Sequence, residues 1–128
     1  RGREGRHFHM HQTAAGKAIL SRYSDQWVRE IVDRYGLPAA TPQTINDEAA
    51  LFDEHADIRD RGVAFNSEES TEGLRSVAVP VTGPDGGVLG ALAVAGPTHR
   101  LTGERLEREL PDLVRSVVNE VELNLAHS

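Results

Sequence analysis

Val77-Ala78-Val79-Pro80-Val81-Thr82-Gly83-Pro84-Asp85-Gly86-Gly87-Val88-Leu89-Gly90-Ala91-Leu92-Ala93-Val94-Ala95-Gly96 decides the fold. Val77, Val79 and Val81 recur at the two-residue period of a strand, and Gly83 to Gly87 carry the residues of a tight turn. No G-x-G-x-x-G or phosphate-loop spacing surrounds those glycines and no helix follows them, so they imply a hairpin rather than a nucleotide cradle. Val88 to Gly96 are nearly all small or aliphatic, which predicts a central strand buried on both faces. Upstream, Val63 and Phe65 share the strand period. The stretch from Asn66 to Gly73, rich in acids and hydroxyls, links them to the hairpin.

Helical signals flank this meander. Thr13 can cap a helix over Ala14 to Leu20, and Ser24 a second in which Trp27, Val28, Ile31, Val32 and Tyr35 fall at helical spacing before Gly36. That spacing makes Trp27 a core residue. Asn46 supplies the cap, and Asp47 and Glu48 the first-turn acids, of a third helix, which carries Leu51 and Ile58, ends at Gly62 and reads as a half-exposed cover. Thr102 starts the last, in which Leu106, Leu110, Leu113, Val114, Val117, Val118, Val121 and Leu125 trace one apolar stripe. Pro111 kinks that helix or splits off its first turn. The class is α+β: an antiparallel sheet covered by helices, with a long C-terminal helix.

The 128 residues, 38% of them hydrophobic, suffice for one core. Twenty acidic against fourteen basic residues leave a net charge of −6, the wrong sign for a phosphate-contacting surface, so the chain itself is not expected to bind DNA. Absence of cysteine excludes disulfides and thiolate chemistry. No apolar run reaches the length of a membrane span or signal peptide, and a cytoplasmic location without membrane contact is the expectation.

His7, His9 and His11 alternate at strand period and could offer imidazoles to zinc or nickel. No carboxylate or second cluster completes such a site, so an exposed strand face is preferred, with neither metal nor cofactor. Ser70, Ser76, His55, His99, Glu68 and Glu69 are the candidates for catalysis, and none sits in a nucleophile-elbow pattern. Glu68 and Glu69, adjacent on a strand, would face opposite ways, leaving one solvated. Small residues at Ala14, Ala15, Ala93, Ala95 and Gly96, with isolated polar groups at Asn66 and Ser76, suit a small apolar pocket that binds without acid–base chemistry. The N–H groups at Ala14 and Ala15, at a helix start with no bulky side chain over it, would suit a small anion. Lys17, the one lysine of the chain, lies a turn further on and is expected to serve packing or an interface.

Four stretches in order and spacing, His11-Gln12-Thr13-Ala14-Ala15-Gly16-Lys17-Ala18, Arg61 to Glu69, Gly73 to Val81, and Ala91 to Pro97 with Arg100-Leu101, resemble the effector-binding domain of the IclR family of transcriptional regulators. The resemblance implies a GAF-like domain over residues 1–128, shortened at its N-terminal side by the family's leading strands. In the intact protein it would be joined to a winged helix-turn-helix that lies outside this chain and makes the DNA contact. It implies a small organic acid as effector, homodimers or tetramers, no enzymatic activity, and contacts from backbone N–H at Ala14 and Ala15, side chains of Asn66 and Ser76, an apolar wall at Leu74, and Ala93 and Ala95. Relatives that bind short keto acids tend to carry aspartate at Asn66, cysteine at Ser76 and serines at Ala93 and Ala95. Without those groups a small polar ligand loses buried partners, which points to an acid with an aromatic or alkyl body. The residues also admit a GAF- or PAS-like domain of another signalling protein, or a small hydrolase using Ser70 or Ser76 with His99.

Overall fold

A computed structural model describes residues 10–37, 39, 41–69 and 71–127. After a 3₁₀ turn at Met10–Gln12 come helices α1 (Ala14–Leu20), α2 (Asp25–Tyr35) and α3 (Glu48–Arg61). Strands β1 (Ala64–Ser67), β2 (Leu74–Thr82) and β3 (Val88–Pro97) follow, then a π-helical turn at Arg105–Glu109 and helix α4 (Leu110–Ala126). Thr13 and Ser24 cap as expected, their side chains accepting from Gly16 and Trp27 N–H, and Gly62 closes α3 at φ +75°; at the start of α3 the cap is Asp47, which accepts from Ala50 N–H, and not Asn46. The π turn lies directly ahead of Pro111, where the missing amide breaks the regular ladder.

The sheet is an antiparallel meander in the order β1-β2-β3. Among the described residues its middle strand is β2 and Val88 to Gly96 pair on one side only, with Leu89 62% exposed, and the expected burial on both faces is not found there. The uniformly small side chains of β3 carry little information about which strand is central. The run Ser76 to Pro80 in β2 is the buried one. Alternation sends Val77, Val79 and Val94 to one face, where they pack with Val63, Val114 and Val118 under α4. The opposite face receives α1, whose Ala14 and Ala18 lie against Ala64, Ala78 and Ile58. Leu20, Val28 and Leu51 form a third cluster joining α1, α2 and α3.

Two further expectations fail on exposure. Trp27 is 42% exposed and stacked on Tyr23, ring centroids 4.4 Å apart, because α2 turns Val28, Ile31 and Val32 inward instead. The stripe of α4 divides: Val114 and Val118 are buried, whereas Leu113, Val117 and Val121 are exposed, since the sheet packs against one side of the helix and covers less than the arc those residues span.

Candidate functional site

All seven residues expected at a ligand site fall on the face of the sheet that carries α1, or on α1 itself. The register pairs Asn66 with Ser76 and Ser76 with Ala95, then Ala64 with Ala78 and Ala78 with Ala93, so two cross-strand rows share this face. Leu74, two residues before Ser76, closes the row at Pro97. Above these rows, Thr13 Oγ1 takes the Gly16 N–H at 2.9 Å and Thr13 O takes that of Lys17 at 2.9 Å. The N–H groups of Ala14 and Ala15 are those that helix geometry leaves without an intrahelical acceptor. Asn66 and Ser76 are buried, Leu74 and Ala15 half-buried, and Ala93 and Ala95 exposed, so the face opens toward β3.

Asn66 already has structural work. Its Nδ2 donates to Gln12 O, just ahead of α1, and its Oδ1 accepts from Glu69 N at 2.9 Å. Beneath α1, Lys17 is fully buried, its Nζ 2.6 Å from Glu69 Oε2, 2.9 Å from Glu54 Oε2 and 2.8 Å from Phe65 O. Lys17 therefore packs inward, as expected, and does not face the rows. Glu69 is buried as well, contrary to the reading of Glu68 and Glu69 as a split strand pair. β1 ends at Ser67, and Glu68 turns the chain at φ +61°. Glu68 Oε1 accepts from Gly73 N at 2.9 Å, while Glu69 swings in toward Lys17. Burial raises the Glu69 carboxyl above its usual range, with the Lys17 charge acting in the opposite sense. Thr41 and Thr44, which donate to Glu68 O and Glu69 O, hold this turn in place. Sequence reasoning passed over both threonines, because nothing local in a loop 25 residues upstream marks them as partners of Glu69.

The other candidates separate. His11 is buried in the 3₁₀ turn rather than displayed on a strand, and His7 and His9 lie outside the described residues. Among the described residues no group of three or more histidines, cysteines or carboxylates could hold a metal ion. Ser70 also lies outside them, and among the described residues no hydrogen bond joins Ser76 to His99. His55 is fully buried beside Phe52, neither ring nitrogen having a hydrogen-bond partner. Desolvation first, and the nearby Arg59 second, lower its pKa to about 4.

Comparison with known proteins decides the family. The family described as bacterial transcriptional regulator IclR C-terminal matches residues 1–123. The chain belongs to the IclR C-terminal domain family. An IclR-family relative, the acetate operon repressor of Salmonella typhimurium, is 38% identical over 114 residues, 89% of this chain and 41% of that protein. The C-terminal domain of the transcriptional regulator KdgR from Escherichia coli superposes with a TM-score of 0.84 at 29% identity, covering 91% of this chain and 71% of that one. The inducer-binding domain of a double mutant of the PobR transcription factor from Acinetobacter, in complex with 3-hydroxybenzoic acid, gives a TM-score of 0.84 at 30% identity, covering 88% and 65%. IclR relatives of this kind are transcriptional regulators, not enzymes, and the chain spans less than half the length of the curated relatives it matches. Among the described residues no helix is long and apolar enough to cross a membrane.

Proposed function

We propose that this chain is the effector-binding domain of an IclR-type regulator and that the face between α1 and the rows Asn66–Ser76–Ala95 and Ala78–Ala93 takes a small organic acid. The observation that carries the reading is the convergence of Ala14, Ala15, Asn66, Leu74, Ser76, Ala93 and Ala95 on one sheet face. The carboxylate would lie at the N–H groups of Ala14 and Ala15, with the Ser76 hydroxyl as second donor and the body against Leu74, Ala93 and Ala95. Asn66 is oriented by its bonds to Gln12 and Glu69 rather than turned toward a ligand, and the two alanines offer methyl groups only. An aromatic or alkyl body fits that surface better than a short keto acid, in keeping with the 3-hydroxybenzoic acid bound by the PobR relative.

In this reading the chain acts in the cytoplasm as part of a longer protein, in homodimers or tetramers. Another module would contact DNA, with which the net charge of −6 is in keeping. The effector acts by differential affinity for two arrangements of the assembly, the only way a ligand can shift such an equilibrium. Calorimetric titration against a panel of keto acids and aromatic acids is expected to rank an aromatic acid tightest. Preferential tight binding of glyoxylate or pyruvate would overturn the apolar part of the assignment.

A further inference from the structure

The flank of β2 beyond the end of β1 carries a second cleft. The ladder between β1 and β2 ends at the pair Ala64 and Ala78, so among the described residues Val79 to Thr82 run on with no strand on that flank. Arg22 from the turn after α1, Arg61 at the end of α3 and Arg115 of α4 close over Val79, Pro80 and Val118 there, around a hollow of about 300 Å³. A neighbouring hollow of about 400 Å³ shares Arg61 and Arg115 and continues over Val63, Phe65 and Leu106. Arg61 and Arg115 belong to both hollows; Arg22 stands at one end of the cleft, and Val63, Phe65 and Leu106 make the other its more apolar end.

Its charge runs against that of the chain. Three guanidiniums line the first hollow with one carboxylate, Glu122, whose Oε2 already accepts from Thr82 N at 2.9 Å and Thr82 Oγ1 at 3.0 Å. Arg115 is shared between Asp112 at 3.3 Å and Arg61 O at 2.9 Å. Arg61 lies over the Phe65 ring, 5.3 Å from its centroid, and among the described residues neither Arg61 nor Arg22 has a carboxylate partner. Glu107, on the π turn, is the one acid at the apolar end.

We infer that this cleft is a second ligand site, which takes a small carboxylate with its charge between Arg22 and Arg61 and its apolar body on Val63, Phe65 and Leu106. Guanidiniums without a protein anion are the groups best matched to a carboxylate, and the aliphatic and aromatic floor holds a body of few carbons. The site shares no residue with the rows under α1 and does not depend on the reading given to them.

An NMR titration of the chain with benzoate tests it. Saturable amide shifts are expected at Gly62, Val63 and Val118. Acetate, lacking the ring, is expected to bind there about tenfold more weakly. The double variant Arg22→Ser with Arg61→Ser should lose about tenfold in benzoate affinity at these amides, with the melting temperature checked alongside. If the double variant melts early, Arg22→Ser alone carries the test with a loss of about threefold or more. Shifts confined to Ser76, Ala93 and Ala95 would overturn the second site while leaving the first standing. Shifts at Gly62 and Val118 that the arginine variants do not weaken would also overturn it.

Discussion

At the scale of residues, burial makes two side chains decisive. Lys17 neutralises part of two carboxylates that are largely withdrawn from water, so Lys17→Met leaves both without their cation and is expected to cost about 3 kcal/mol in urea unfolding. Adding Glu69→Gln removes one stranded charge and should restore part of that loss; strict additivity of the two changes would show that the pair does not interact. His55 sets the acid side of stability. Its native pKa near 4 lies below the unfolded value of 6.5, so the unfolded chain binds the proton more readily. Its contribution is whole above pH 6.5 and lost progressively between there and about 4, up to about 3 kcal/mol. Glu69 works in the opposite sense. Its raised native pKa adds stability as the pH falls below it and withdraws that stability as the pH rises through it. His55→Leu should therefore be more stable than the parent near pH 5 and lose less on going there from near pH 7.5, read from unfolding midpoints at both. An unchanged pH dependence would contradict the assignment to His55.

At the scale of elements, the caps are both legible and testable. Gly62 holds φ +75° at the end of α3, and Gly62→Ala meets no neighbouring atom within 4 Å, so its cost is conformational alone, about 1 kcal/mol in the same unfolding assay. Such positions can be read from sequence because cap and turn chemistry is local: Thr13, Ser24, Gly36 and Gly62 each sit where the residue type places them, and the cap of α3 falls one residue on from Asn46, at Asp47, since both side chains can cap. What could not be read is pairwise and distant. The small residues of β3 look equally suited to a central or an edge strand, and only the register, with β2 between its neighbours, distinguishes them. Trp27 has the spacing of a core residue, but α2 needs only Val28, Ile31 and Val32 to meet α1 and α3. Glu69 required knowing that Glu68 adopts a left-handed turn, a conformation nothing in Glu68-Glu69 announces. Alternation puts Ala93 with Ala95 on one face and Leu74 with Ser76 on one face from sequence alone, whereas bringing Asn66, Ser76, Ala93 and Ala95 to the same side of the sheet also takes the register.

At the scale of the molecule, the sheet separates two environments. One face holds α1 over small residues and a few hydroxyl and amide groups; the other holds α4 over valines, with the arginine cleft at its margin. A closed chain of contacts links the first face to the interior. Gln12 is held by Asn66, Asn66 by the Glu69 amide, and the Glu69 carboxylate by Lys17, which returns to α1 one turn beyond its start. Anything that moves the start of α1 must strain that ring, which is how occupancy at Ala14 and Ala15 would be felt through the domain. In the function proposed above such a coupling would serve effector sensing, and the acid site under α1 is the claim on which it turns. A crystal structure of the chain grown with 3-hydroxybenzoate tests that claim most directly. The predicted result is a carboxylate within hydrogen-bonding distance of the Ala14 and Ala15 N–H groups, with its ring over Ala93 and Ala95. A ligand seated elsewhere while that face holds only water would contradict it.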